Sequence, residues 1–184
     1  MTKKHPDKME IKGSKFILRS WRAGDEDRLV EIANNKKIWI NLNNAFPHPY
    51  TMESAKWWVN HCQEEDNPNR IFAIEVDGKL AGCIDISPRP PESEHCKTAI
   101  FGYWLGEEYW GRGIASEAVK LIVDYGFKTF DIVRIQAGIF SWNPASARVL
   151  EKNGFTLEGR LRKSIYKDGK ICDEMMYSKL KEED

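Results

Sequence analysis

The sequence has no excess of charge of either sign and no long hydrophobic run. Its 184 residues include 28 Lys and Arg against 28 Asp and Glu, whereas a dedicated nucleic-acid binder usually carries a basic excess. The longest uninterrupted apolar run, from Ala99 to Leu105, is far shorter than the roughly 20 residues that span a bilayer. The first residues are polar and contain no apolar core of a signal peptide. We therefore expect a cytoplasmic protein that contacts neither a membrane nor nucleic acid directly.

The sequence also has few cysteines. Cys62, Cys83, Cys96 and Cys172 are far apart and show no C-x-x-C spacing, which argues against a disulfide framework and predicts reduced thiols. No metal site is expected. At roughly 150 residues per domain, the length predicts one domain. We place this domain at residues 14–184, after a polar and loosely ordered lead-in at residues 1–13.

The hydrophobic pattern predicts an α/β (α+β) fold in which a strand and two helices precede three strands, after which helices and strands alternate. Consecutive strands followed by alternating helices and strands are typical of a mixed sheet with helices on both faces. The predicted helices begin after Asp25, which is a candidate N-cap, at Met52, at Ala115 and after Asn143. The stretch from Asn34 to Tyr50 is predicted to be irregular. The predicted strands cover residues 15–21, 70–76, 79–86, 98–105, 133–139, 161–167 and 171–178.

A glycine-rich turn joins the strand that ends at Leu105 to the following helix. Gly111 and Gly113 let the backbone tighten and expose N–H groups, and the helix adds its unpaired amides and the positive end of its dipole. Such a turn can hold a phosphate or pyrophosphate, although two glycines can also serve only to make a tight turn. It is not a Walker loop, because Arg112-Gly113 replaces Lys-Ser/Thr, and the dinucleotide fingerprint fails at Ser116.

The same turn resembles the Q/R-x-x-G-x-G/A signature of the GNAT acyltransferases. Residues 109–118, Tyr-Trp-Gly-Arg-Gly-Ile-Ala-Ser-Glu-Ala, are similar to the RimJ/RimL branch of ribosomal-protein-alanine N-acetyltransferases, which has Trp in the first position, as Trp110 is here. The likeness continues at residues 102–105, 143–155 and 173–178 and covers nearly the whole chain from Phe16 onward. It implies a mixed central β-sheet that is splayed in the middle, with helices on both faces.

The resemblance further implies that acetyl-coenzyme A is the co-substrate and that an amine is the acceptor. The backbone of the glycine turn would hold the pyrophosphate, and pantetheine would lie between the strand of Leu105 and the strand at 134–140. The N–H of Leu105 would stabilise the oxyanion, and the hydroxyl of Ser146 would protonate the departing thiolate. The implied coenzyme-binding residues are Leu105, Trp110, Gly111, Arg112, Gly113, Ile114, Ala115, Ser116, Asn143 and Ser146.

Two of these residues also have simpler explanations. Asn143 is accounted for as the N-cap of its helix, and Ser146 as an ordinary serine of the first turn. Arg148 could lie near the coenzyme phosphates, and a cleft-facing Asp85 could bind or deprotonate an amine. We expect instead an ordinary surface or packing arginine at Arg148 and solvated side chains at His48, Asp85 and Lys167. The last of these belongs to a basic cluster that is predicted to form a solvated strand face.

The chain departs from the family pattern at two catalytic positions. Leu150 replaces a tyrosine that many members use as an acid, and Ile100 replaces a glutamate that often serves as a base. At pH 7 roughly one-tenth of an α-amine is neutral, against about one in 2,500 for a lysine. We therefore expect direct transfer to the N-terminal α-amine of a protein or peptide. A small-molecule amine acceptor, a non-catalytic coenzyme A-binding module and a homodimeric state are left open.

Overall fold

The computed structural model describes residues 9–64 and 69–182. These residues form one eight-stranded sheet in the order β1-β2-β3-β4-β5-β6-β8-β7. Its strands are β1 (Glu10–Lys12), β2 (Ile17–Arg19), β3 (Ile71–Val76), β4 (Lys79–Pro88), β5 (Thr98–Leu105), β6 (Arg134–Phe140), β7 (Thr156–Lys167) and β8 (Lys170–Leu180). The described helices are α1 (Glu26–Ala33), α2 (Lys36–Trp39), α3 (Met52–Gln63), α4 (Ile114–Thr129) and α5 (Pro144–Lys152), with one turn of 3-10 helix at Glu107–Tyr109. None of these helices is long and apolar enough to cross a membrane.

The helices cover both faces of the sheet. On one face, α4 and α5 pack on residues such as Phe101, Leu105 and Ile135. On the other face, α1 and α3 pack on Ala73 and Cys83. We refer to these as the α4–α5 face and the α1–α3 face. Successive side chains of a strand alternate between the two. The predicted mixed α/β architecture with helices on both faces is confirmed.

The middle of the sheet is open. β5 and β6 are parallel and pair only where Thr98, Ala99 and Ile100 meet residues 134–136. Beyond that point β5 stays paired with β4 as far as Leu105, while β6 stays paired with β8 as far as Phe140. The two strands therefore diverge and leave a gap between residues 101–105 and 137–140. The predicted splay between these strands is confirmed.

Two local expectations differ from the structure. Residues 1–13 were expected to be a loose lead-in, but Glu10–Lys12 forms the edge strand β1, in which Ile11 pairs with Leu18 and packs against the core. Three residues are too few to show an alternating pattern, so this strand could not be predicted from its sequence. Residues 1–8 lie outside the described part of the chain. The stretch from Asn34 to Tyr50, predicted to be irregular, contains the short helix α2, which begins where the Asn35 side chain accepts a hydrogen bond from the Lys37 N–H.

Asp25 does not cap α1 as predicted. It precedes the helix, but its side chain makes no cap hydrogen bond. Both carboxylate oxygens instead accept hydrogen bonds from the Arg19 guanidinium, at 2.8 and 2.7 Å. Both side chains are buried. The cap prediction is wrong because a buried arginine needs a carboxylate partner, and the partner is then committed to that ion pair.

Candidate active site

A cavity of about 1240 Å³ lies at the gap between β5 and β6. Its wall includes Tyr103, which belongs to the α4–α5 face, and Trp104, which packs on the α1–α3 face. Because the sheet is open at this point, one cavity reaches both faces. It brings together nearly all of the residues predicted for the site: Leu105, Trp110, Gly111, Gly113, Ile114, Ala115, Ser116, Asn143 and Ser146.

The glycine turn forms the end of the cavity next to α4. Gly111 and Gly113 have φ angles of +73° and +80°, a region that L-residues with a Cβ rarely adopt. Gly113 is the N-cap of α4, a 16-residue helix. The hydroxyl of Ser116 accepts a hydrogen bond from Asn153 Nδ2 at 3.3 Å, so its own proton can be donated elsewhere. Free amide donors at the N-terminus of a long helix make this end of the cavity suitable for an anion.

Trp110 fixes this turn to the end of β5. Its indole Nε1 donates a hydrogen bond to the Leu105 carbonyl oxygen at 2.8 Å. This contact gives the tryptophan at the first signature position a structural role. Arg112 differs from its neighbours, because its guanidinium lies 5.6 Å from the ring centre of Tyr109 and its side chain is absent from the described cavity wall. Any contribution of Arg112 to an anion site would therefore come from its backbone.

The Leu105 N–H points toward the gap. Gly106 N donates to Ala81 O on β4 at 2.8 Å. Backbone N–H groups alternate in direction along a strand, so the N–H of Leu105 is directed away from β4, into the space that β6 has left. This is the direction required of the oxyanion donor that the sequence analysis assigned to Leu105.

A pair of hydroxyl groups lies on the α4–α5 side of the cavity. Tyr103 Oη and Ser146 Oγ are 2.8 Å apart. Asn143 Oδ1 accepts a hydrogen bond from the Ser146 N–H at 3.2 Å, so the predicted N-cap role of Asn143 is confirmed. Burial raises the pKa of the Tyr103 hydroxyl, and the hydrogen bond with Ser146 acts in the opposite direction. The tyrosine therefore stays protonated at neutral pH and can donate to the serine oxygen.

Sequence reasoning did not identify Tyr103 as a site residue. Two signals were present: Tyr103 lies in the buried run, two residues before the expected oxyanion donor and on the same face, and it belongs to the family-like segment 102–105. The position that many relatives fill with tyrosine belongs to Leu150, which is fully buried in the core. Ile100 lines the cavity where relatives often have glutamate. In this chain the hydroxyl groups thus come from β5 and the first turn of α5.

Three residues to which no function was assigned contribute to the cavity wall. Asp85 is half-buried and lines the cavity, and Lys167 is only 1% exposed; the expectation that they are solvated was wrong for both. Arg148 is exposed but also lies on the cavity wall. Lys152, on the same helix, is a second basic residue of the wall. Among the described residues, no group of His, Cys, Asp or Glu is placed to hold a metal ion.

A glycine turn at a helix N-terminus, a backbone N–H directed into a gap and a splayed sheet are the features expected of a class of protein, the acyltransferases that use an acyl-coenzyme A thioester. A family described as "Acetyltransferase (GNAT) domain" matches residues 15–156. The chain therefore belongs to the GNAT acetyltransferase family.

Known proteins of this family resemble the chain over most of its length. Probable N-acetyltransferase YjcK of Bacillus subtilis is 42% identical over 95% of this chain and 98% of its own length. Putative ribosomal N-acetyltransferase YdaF of the same organism is 32% identical, with 91% and 92% covered. Spermidine N(1)-acetyltransferase of Escherichia coli is 30% identical, with 83% and 78% covered.

A solved structure shows the same fold. The ribosomal-protein alpha-N-acetyltransferase RimL, in complex with coenzyme A, superimposes with a TM-score of 0.81 at 24% identity, covering 94% of this chain and 98% of RimL. The family match and the similar N-acetyltransferases identify the chain as an acetyl-coenzyme A-dependent N-acetyltransferase. The alternative of a non-catalytic coenzyme A-binding module is therefore without support.

Proposed function

We propose that this enzyme transfers the acetyl group of acetyl-coenzyme A directly to the N-terminal α-amine of a protein or peptide. The observation that carries the proposal is the continuous cavity through the gap between β5 and β6. The donor would enter from the α4–α5 face and the acceptor from the α1–α3 face, so that amine and thioester meet in one complex. Direct transfer in such a complex needs no covalent enzyme intermediate.

The donor end of the cavity supplies backbone and cationic groups. The N–H groups of residues 111–116 would hold the pyrophosphate, helped by the Ser116 hydroxyl. Arg148 and Lys152, on the cavity wall at α5, provide positive charge within reach of further phosphate groups. The amide Nδ2 of Asn143, whose Oδ1 is used by the cap, is available to a pantetheine carbonyl. Acetyl-coenzyme A would supply the activated acetyl group, and the hydrogen-bond donors and positive charges named here belong to the chain.

The chemical step needs one stabilised negative charge and one proton. The Leu105 N–H, directed into the gap, would hydrogen-bond to the oxygen that becomes negative when the amine attacks. The Ser146 hydroxyl would give its proton to the sulfur as the carbon–sulfur bond breaks. Tyr103, 2.8 Å from Ser146 Oγ, would donate to the serine oxygen at the same time. The proton lost by the amine goes to solvent or to a carboxylate on the α1–α3 side.

An α-amine fits this site because it does not depend on a strong base for its deprotonation. Ile100 gives no base at the position that relatives often use, and an α-amine, with a pKa near 7.8, needs little help at pH 7. The similarity to the putative ribosomal N-acetyltransferase is a second line of support. A polyamine is the alternative, favoured by two carboxylates on the cavity wall, Asp85 and Glu174, and by the similarity to the spermidine enzyme.

The test is release of free thiol from acetyl-coenzyme A with three matched acceptors. These are a peptide with a free N-terminus and no lysine, the same peptide with a blocked N-terminus and one lysine, and spermidine. We expect the free N-terminus to have the highest kcat/KM at pH 7. Mass spectrometry should place the acetyl group on the first residue. A higher kcat/KM for spermidine or for the lysine peptide would contradict the α-amine proposal and leave the acetyltransferase assignment intact.

A further inference from the structure

Lys167 is a buried cation on the wall of the cavity. It is the last residue of β7 and only 1% exposed. Its ammonium group lies 3.9 Å from the ring centre of Trp39, which ends α2, and donates a long hydrogen bond of 3.5 Å to the Asn43 carbonyl oxygen. The segment of residues 36–44 thus covers the lysine and separates it from bulk solvent.

Within the described residues, the Lys167 ammonium group meets fewer hydrogen-bond acceptors than its three N–H donors can use. The neighbouring carboxylate on the chain, Asp168, forms an ion pair with Lys36 at 3.0 Å. Within residues 9–64 and 69–182, Lys167 forms no ion pair of its own, and its polar contacts are the one long hydrogen bond and the aromatic ring. Burial lowers the pKa of Lys167 because the charged form is poorly solvated, while Asp168 acts in the opposite direction. A buried charge of this kind is costly unless something pairs with it.

The lysine lies on the acceptor side of the sheet. Lys167 pairs with Lys170 on β8, and Leu161 pairs with Glu174, so Glu174 is four residues farther along β8, about 13 Å at 3.3 Å per residue. Glu174 and Asp85 line the same cavity as Lys167. The acceptor side thus contains two carboxylates, which can bind an amine. It also contains the Lys167 cation, about 13 Å from Glu174 along the strand, which can bind an anion.

We propose that Lys167 binds a carboxylate of the acceptor, so that the substrate is an amine that also carries a negative charge. The proposal rests on the N-acetyltransferase function at the same cavity and specifies its substrate class. The span along β8 favours an acidic side chain of a peptide over the α-carboxylate of a free amino acid, since the latter lies next to its own amine. A polyamine carries no anion, and its approach would be opposed by the lysine.

The first experiment uses the wild-type enzyme and matched peptides. Peptides that begin Ser-Asp and Ser-Glu are compared with the isosteric Ser-Asn and Ser-Gln peptides in the thiol-release assay, with free aspartate, its amide and spermidine as further arms. A hydrogen bond between charged groups predicts a kcat/KM about tenfold to a hundredfold higher for the acidic peptides. Equal kcat/KM for free aspartate and free asparagine, both above that of the amide peptides, would identify the α-carboxylate as the group bound, because asparagine keeps only that carboxylate, and would overturn the assignment to an acidic side chain. Equal kcat/KM for acidic and amide peptides would overturn the proposal.

Two variants separate recognition from structural support. Lys167→Met removes the charge but keeps an unbranched side chain, and Lys167→Arg keeps the charge. We expect Lys167→Met to abolish the preference for acidic peptides while the amide peptides keep their kcat/KM within about threefold, and Lys167→Arg to restore most of the preference. The KM for acetyl-coenzyme A should stay constant. If Lys167 serves only to hold residues 36–44 in place, Lys167→Met will lower the Tm and reduce kcat/KM for all acceptors equally, which refutes the proposal.

Failure of the underlying function gives a different result. If the wild-type enzyme binds acetyl-coenzyme A but releases thiol with none of the peptides, the α-amine proposal fails and the inference about Lys167 fails with it. If the wild-type enzyme acetylates acceptors without regard to their negative charge, only the inference about Lys167 fails.

Discussion

Gly113→Val tests the role of the glycine turn most directly. Gly113 has a φ of +80°, and a Cβ built on it would meet nothing within 4 Å, so the substitution causes backbone strain rather than a clash. A left-handed conformation is unfavourable by about 1–2 kcal/mol for an L-residue, and more for a β-branched one, so the turn should relax to another conformation. If two backbone donors to the pyrophosphate are lost, at about 1.5–3 kcal/mol each, the Kd for coenzyme A should rise at least about a hundredfold.

The matched control is Gly78→Val. Gly78 has a φ of +76°, its Cβ would also meet nothing within 4 Å, and it lies in the turn between β3 and β4, away from the described cavity wall. Both variants should lower the Tm by similar amounts, whereas only Gly113→Val should weaken coenzyme A binding in calorimetric titration. A folded Gly113→Val protein that binds coenzyme A like wild type would refute the assignment of the turn as the pyrophosphate site.

Two further predictions concern the hydroxyl pair and an ion pair of the sheet. Ser146→Ala should lower kcat by about tenfold to a hundredfold, and Tyr103→Phe by less. The double variant should be no slower than Ser146→Ala alone, since the two groups act as a unit; additive losses would contradict the pairing. Arg134 and Ser178 hold the pKa of Glu158 at about 2, below its usual 4.5. This stabilisation is complete above pH 4.5 and disappears as the pH falls toward 2, so urea unfolding should show the stability difference between wild type and Glu158→Gln shrinking over that window.

The parts of the fold that sequence predicts well are those whose signals are local. The apolar run of β5 predicts its bounds, Thr98–Leu105, as the structure has them. The helix α3 begins where Thr51 accepts a hydrogen bond from the Ser54 N–H, a cap that can be recognised within four residues. The edge strand β1 and the short helix α2 have too few residues to show a period. Their existence depends on the neighbours they pair with or pack against.

The same distinction applies to the candidate site. The glycine turn at the start of α4 could be predicted because two glycines and a helix start lie within a few residues of one another. Lys167 could not, since its burial depends on Asn43 and Trp39, more than 120 residues earlier in the chain. Asp85 was placed on the correct strand, but whether it faces bulk solvent or a cavity depends on which strand lies beyond β5 and on where the sheet opens.

The gap in the sheet also explains how the chain can lack the tyrosine that many relatives use. Beyond Ile100, β5 has no partner on its β6 side, so the backbone of Leu105 and the side chain of Tyr103 both face the cavity from the same strand. Tyr103 reaches Ser146 because α5 begins directly across the gap, where Asn143 fixes its first turn. If Tyr103 and Leu105 act as the proposed hydroxyl donor and oxyanion donor, a hydroxyl at residue 150 is not needed, and Leu150 can fill the core instead.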